Sequence, residues 1–123
     1  MSYLLQYARR PASMRRRQAA RVDERTRLNR DGFYGDAYVR VFVEDTSTWT
    51  AARGCPPSPR LRLRIADCAN TINLEFDVVS PELRDNSLFK IDTLLGALER
   101  FRDGLAAEAA LYAERERAPA NTQ

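Results

Sequence analysis

Between residues 60 and 79 the chain reads RLRLRIADCANTINLEFDVV, with an apolar side chain at nearly every second position. Leu61, Leu63 and Ile65 alternate with Arg62 and Arg64, and Ile72, Leu74, Phe76 and Val78 alternate with Asn73, Glu75 and Asp77. A period of two belongs to a strand that buries one face. Folded about Ala69 and Asn70 as a two-residue turn, the stretch sets Leu63 opposite Phe76 and Ile65 opposite Leu74. The same register sets Arg62 opposite Asp77 and Arg64 opposite Glu75, so both faces are matched at once. Upstream, GFYGDAYVRVFVED carries Val39, Val41 and Val43 on one face, with Tyr38, Arg40, Phe42 and Glu44 on the other. β-branched residues at that spacing predict a further strand.

After residue 80 the period changes. Ser80-Pro81-Glu82 reads as a helix start, with RDNS at 84–87 breaking a short turn and capping a second helix. From Leu88, apolar residues recur at Ile91, Leu94, Leu98, Phe101, Leu105 and Tyr112 in steps near 3.5, widened by Leu95 and Ala109 and interrupted at Glu108. A helix over 87–117 would run about 46 Å at ~1.5 Å per residue. Eight-residue strands reach only about 25 Å at ~3.3 Å per residue. The second half of the helix must therefore project, pack on another helix or meet another chain.

The N-terminal pattern is thinner. An apolar knot of Tyr3, Leu4, Leu5 and Tyr7 precedes Pro11, and Ser13 is placed to cap a helix running to about Asn29. Met14, Ala19, Val22 and Leu28 give that helix only a narrow stripe, so it is either loosely formed or docked. The fold class expected is α+β: a small antiparallel sheet of about three strands (37–44, 60–67, 71–79), a long C-terminal helix packed on it and a basic N-terminal helix. The organisation expected is a basic leader over 1–31, an α+β domain over 32–117 and a tail over 118–123. Residues 46–59 read as a loop from their prolines and glycine, with Trp49 folding back as a lid on the core.

Charge sharpens this division. Nineteen arginines accompany a single lysine, Lys90, and the net charge is +3. Residues 1–30 hold nine arginines against Asp23 and Glu24, a net of +7, whereas 31–123 hold eleven basic and fifteen acidic residues, a net of −4. A slightly acidic domain thus carries a strongly basic leader. No apolar run approaches the roughly 18 residues of a membrane span, and the first ten residues lack the order of a signal peptide, so the expected location is cytoplasmic.

Several kinds of chemistry are disfavoured. The chain has no histidine, which removes the commonest general base and every nucleophile–histidine pair. Cys55 and Cys68 alone are too few for the usual zinc set, and two reduced thiols are expected, a disulfide being the alternative. The five glycines do not cluster into a phosphate loop, and the acid pairs Asp23–Glu24 and Glu44–Asp45 read as solvated surface. The chain is therefore expected not to be an enzyme and to need no cofactor or metal. The alternating arginines of 60–64 resemble a nucleic-acid-binding face, but the acids opposite them in the register above would cancel their field. Phe33, Tyr34 and Tyr38 stand beside basic residues, a combination that binds single strands or, alternatively, staples the leader to the sheet.

The closing stretch NSLFKIDTLLGALERFRDGLAAEAALYAERE, with its arginine-for-lysine bias, resembles small accessory proteins of actinobacteria and actinobacteriophages. The resemblance covers the last third of the chain and implies a regulatory or host-interacting protein; it assigns no residue a role. Two functions follow. In the first, Arg9, Arg10, Arg15, Arg16, Arg17 and Arg21 contact a nucleic-acid backbone without a base-reading motif. In the second, Leu98, Phe101, Leu105, Leu111 and Tyr112 of the C-terminal helix bind a protein partner or a second copy, as an adaptor or inhibitor does.

Overall fold

The computed structural model describes residues 19–49 and 58–118. Four strands and one helix follow in order: β1 (Ala20–Arg27), β2 (Ala37–Glu44), β3 (Leu61–Asp67), β4 (Asn70–Leu74) and α1 (Pro81–Arg117). The strands form one antiparallel sheet in the order β1-β2-β3-β4. The chain divides into two compact units, Met1–Asp85 and Asn86–Gln123.

The sheet has one strand more than the pattern suggested. Residues 20–27, expected in a helix over 13–29, form β1 instead; the earlier part of that helix lies outside the described residues. The strand is explained by partners distant in sequence. Val22, Glu24 and Thr26 meet Val43, Val41 and Val39 of β2 on one face, while Asp23, Arg25 and Arg27 meet Phe42, Arg40 and Tyr38 on the other. A β-bulge between Ala20 and Val22 precedes the regular ladder. A polar sequence with a narrow apolar stripe gains little as a helix, whereas a neighbouring strand supplies every second residue with a partner.

The β3–β4 hairpin also departs from the expected register. Cys68 and Ala69 form the turn, so Leu63 faces Leu74, Arg64 faces Asn73 and Ile65 faces Ile72. Cys68 has a φ of 56°, the sign required at the first position of a type II′ hairpin turn. Its amide donates to the Asp36 carbonyl at 3.2 Å, tying the turn to the start of β2. A shift of two residues keeps each side chain on its face, so the apolar face survives. The partners change: Arg64 no longer meets Glu75, and Arg62 no longer meets Asp77.

The apolar face holds Val39, Val41, Val43, Leu61, Leu63, Ile65 and Leu74, all half-buried, with Ile72 exposed at the edge strand. The buried hydrophobic residues, among those described, are Ala37, Phe42 and Ala66. Phe42 and Ala66 lie on the polar face, and Phe42 sits between the guanidinium groups of Arg40 and Arg60, 5.7 and 5.6 Å from its ring centre. Glu44, at the end of β2, is also buried and accepts the Arg60 amide at 2.9 Å.

The helix is continuous from Pro81, 37 residues long, and RDNS lies within it rather than breaking it. Ser80 Oγ accepts the Leu83 amide at 3.1 Å, and Glu82 adds an acid to the first turn, so the cap expected at Ser80-Pro81-Glu82 starts one long helix. At ~1.5 Å per residue it extends about 55 Å.

Candidate nucleic-acid interface

The register of the sheet sets three arginines abreast. Arg25 of β1 lies opposite Arg40 of β2, and Arg40 lies opposite Arg64 of β3, all on the polar face. Like charges directly opposite in a sheet repel, so each member of such a row needs a compensating contact. Arg40 is ion-paired with Asp23 and donates to the carbonyls of Glu24 and Val41 at 3.3 and 3.2 Å. Arg25 lies 3.5 Å from Asp36 and stacks 3.9 Å over the Tyr38 ring. Arg64 donates through Nε to Asn73 Oδ1 at 2.9 Å, a neutral partner where the expected register put a carboxylate.

Arg62, the next residue along this face, is exposed, and its side chain makes no ion pair or hydrogen bond with another described residue. Arg60 lies 3.8 Å from buried Glu44. Arg40, Arg60, Arg62 and Arg64 line an open groove of about 550 Å³ with Phe42 and Asn73, which Glu75 also borders. Two of its four guanidinium groups, those of Arg40 and Arg60, thus lie against carboxylates, whereas that of Arg64 is held by the neutral Asn73.

At one end of the sheet, the β1–β2 connection exposes Phe33 and Tyr34, the latter 97% accessible. Their backbone is held from beneath: Asn29 Nδ2 donates to the carbonyls of Tyr34 and Gly35 at 3.0 and 3.3 Å, and Arg27 donates to that of Phe33 at 3.3 Å. Gly35 has a φ of 94°, and a Cβ there would lie 3.3 Å from Cys68 Sγ. The expectation that these aromatics staple the leader to the sheet therefore fails for Phe33 and Tyr34. Tyr38 alone has such a role, through Arg25.

Of the arginines expected to bind nucleic acid, Arg9, Arg10, Arg15, Arg16 and Arg17 lie outside the described residues. Arg21 is 3.2 Å from Asp45. Hydrogen bonds from the Ser47 backbone and side chain hold the Asp45 carboxyl below its ordinary value, against partial desolvation and with help from Arg21. Of the leader's described arginines, Arg21 and Arg25 thus lie against acids, Asp45 and Asp36, while Arg27 donates to the Phe33 carbonyl. The residues missed were Arg25, Arg40, Arg62 and Arg64. The signal for Arg64 lies in the hairpin itself, since a register two residues away keeps the same face and replaces Glu75 by Asn73.

The residues expected to bind a protein partner are all exposed on α1: Leu98 49%, Phe101 67%, Leu105 57%, Leu111 38% and Tyr112 56%. Cys68 is a free thiol, exposed at the hairpin turn; Cys55 lies outside the described residues. Trp49 is half-buried. Among the described residues, no cluster of three or more acidic or cysteine side chains suits a metal ion, and no helix is long and apolar enough to cross a membrane. The chain matches no family model, no curated protein and no solved structure.

Proposed function

We propose that this chain is a non-enzymatic, cytoplasmic accessory module that binds a nucleic-acid backbone through the polar face of its sheet, assisted by its arginine-rich leader. The observation that carries the reading is the row Arg25–Arg40–Arg64, continued by Arg62, in which positive charges stand side by side across three strands. A polyphosphate relieves the repulsion within such a row. Planar guanidinium groups also suit phosphate oxygens, because each offers a fork of donors. Exposed Phe33 and Tyr34 offer stacking surface for unpaired bases, which favours single strands over duplex. Among the described residues no side-chain set is arranged to read base edges, so the proposed contact is with backbone and stacked faces.

The test is fluorescence anisotropy of the full chain with single-stranded DNA, single-stranded RNA and duplex at low and moderate salt. Binding should weaken steeply with salt, and Arg62→Ala with Arg64→Ala should lower the logarithmic salt slope by about 1–2. Changing Arg9, Arg10, Arg15, Arg16 and Arg17 together to Gln measures the leader's share. Salt-insensitive binding, or binding indifferent to both sets, sinks the reading.

A second reading, the protein adaptor, is favoured by the exposed apolar stripe of α1, which suits a partner helix.

A further inference from the structure

The apolar stripe of α1 runs through Ile91, Leu94, Leu98, Phe101 and Leu105, with Leu88, Leu95, Leu111 and Tyr112 flanking or extending it. Leu95, Leu98, Phe101 and Leu105 are 54, 49, 67 and 57% accessible. A seam spaced alternately three and four residues apart is the pattern by which helices interdigitate at a shallow angle. We propose that this stripe is the interface with a second copy of the same chain, the two helices running antiparallel. The proposal does not depend on the nucleic-acid reading.

Charge identifies the occupant and its direction. Residues 86–117 carry five basic and six acidic side chains, a net of −1, so two copies meet with little net repulsion, and the helix offers no strong field for the basic leader. Antiparallel pairing centred between Leu98 and Phe101 sets Leu98 against Phe101 of the second copy and Leu94 against its Leu105. Symmetry repeats both contacts, giving four consecutive apolar layers.

On one flank, Arg102 then lies opposite Leu95 of the second copy. That leucine's surface neighbours, three residues before and four after, are Asp92 and Glu99. Arg102, Asp92 and Glu99 have no ion-pair partner among the described residues of their own chain. Each Arg102 thus meets two carboxylates, twice over. A parallel pair would offer Arg102 no such acid and would press Glu108 against Glu108. In the antiparallel pair Glu108 lies at the end of the layers, beside Ile91.

The other flank sets Ala97 opposite Gly104. A Cβ added at Gly104 would meet nothing within 4 Å, so the described chain supplies no packing reason for a glycine whose presence weakens the helix. Close approach of a second helix at that flank supplies one.

The experiment is sedimentation of the full chain over a wide concentration range, with three sets of variants. Wild type should reach twice the monomer mass, and Leu98→Asp with Phe101→Asp should abolish the dimer. Because those changes could also melt the helix, a charge swap accompanies them. Arg102→Glu should weaken dimerisation several-fold, and adding Asp92→Arg and Glu99→Arg should restore it. Direction is read in a Cys55→Ser, Cys68→Ser background. A chain with Ala97→Cys mixed with one carrying Gly104→Cys should be joined by a short bis-maleimide. The Gly104→Cys chain alone should not, its two cysteines lying nine residues, about 13 Å, apart along the axis at ~1.5 Å per residue. A monomer at every concentration, failure of the swap to rescue, or linkage of the Gly104→Cys chain alone each overturns the proposal.

Discussion

Two phenylalanines summarise the contrast between the sheet and the helix. Phe42, on a strand face studded with arginines, is buried beneath two of them, whereas Phe101, on the apolar stripe of a helix, is two-thirds exposed. In the sheet, aliphatic stems and guanidinium planes cover apolar area, and polar groups find partners across the ladder. In α1, backbone hydrogen bonds close within the helix, but its apolar side chains find little cover among the described residues. Polarity of the sequence is thus a poor guide to what is covered; the geometry of the neighbours decides.

The sharpest test of this contrast is a pair of truncations. Phe42→Ala should destabilise the chain by about 3–5 kcal/mol in denaturant titrations, the usual range for a buried aromatic. Phe101→Ala, measured dilute enough to keep chains apart, should change stability by only ~0.5 kcal/mol. An equally large, concentration-independent loss at Phe101 would break the comparison. A smaller loss follows from Glu44→Ala, which removes the acceptor of the part-buried Arg60 amide and should cost about 1 kcal/mol by the same measurement.

Two glycines should then respond in opposite directions. Gly35→Ala forces a side chain into a left-handed conformation against Cys68 Sγ and should destabilise by roughly 1–2 kcal/mol. Gly104→Ala, in dispersed chains, should stabilise the helix by about 1 kcal/mol, read by circular dichroism on heating. Smallest is the effect of Asp45. Its carboxyl titrates below the ordinary value in the folded chain, so it stabilises the fold above the unfolded value near ~3.9 and loses that contribution as pH falls through the folded value. Asp45→Asn should therefore be slightly less stable than wild type at neutral pH, and the two acid-denaturation curves should converge below about pH 4.

The sheet's apolar face and the C-terminal helix were legible because each rests on a local period. Val39, Val41 and Val43 declare a strand and Ile91 to Leu105 declare a helix without reference to anything distant. The first strand was not legible, since Val22 and Thr26 are too sparse to announce it and its support comes from Val39, Val43 and Arg40. Hairpin register failed for a related reason. Pairings differing by two residues satisfy the apolar face equally, and the tie was decided by turn conformation at Cys68 and its bond to Asp36. The candidate site inherited that failure, because Arg64 opposite Glu75 is neutral whereas Arg64 opposite Asn73 and Arg40 is a charged row. The helix was longer than the sheet needs by its pattern alone, and Leu98, Phe101 and Leu105 of its stripe are exposed.

The arginine row also sets how the sheet answers to ionic strength. Mobile ions screen Arg25, Arg40 and Arg64 from one another, but they equally screen Arg40 from Asp23 and Arg25 from Asp36. Repulsion and attraction on one face thus fade together, and the pairing built into the row buffers the fold against changes in salt.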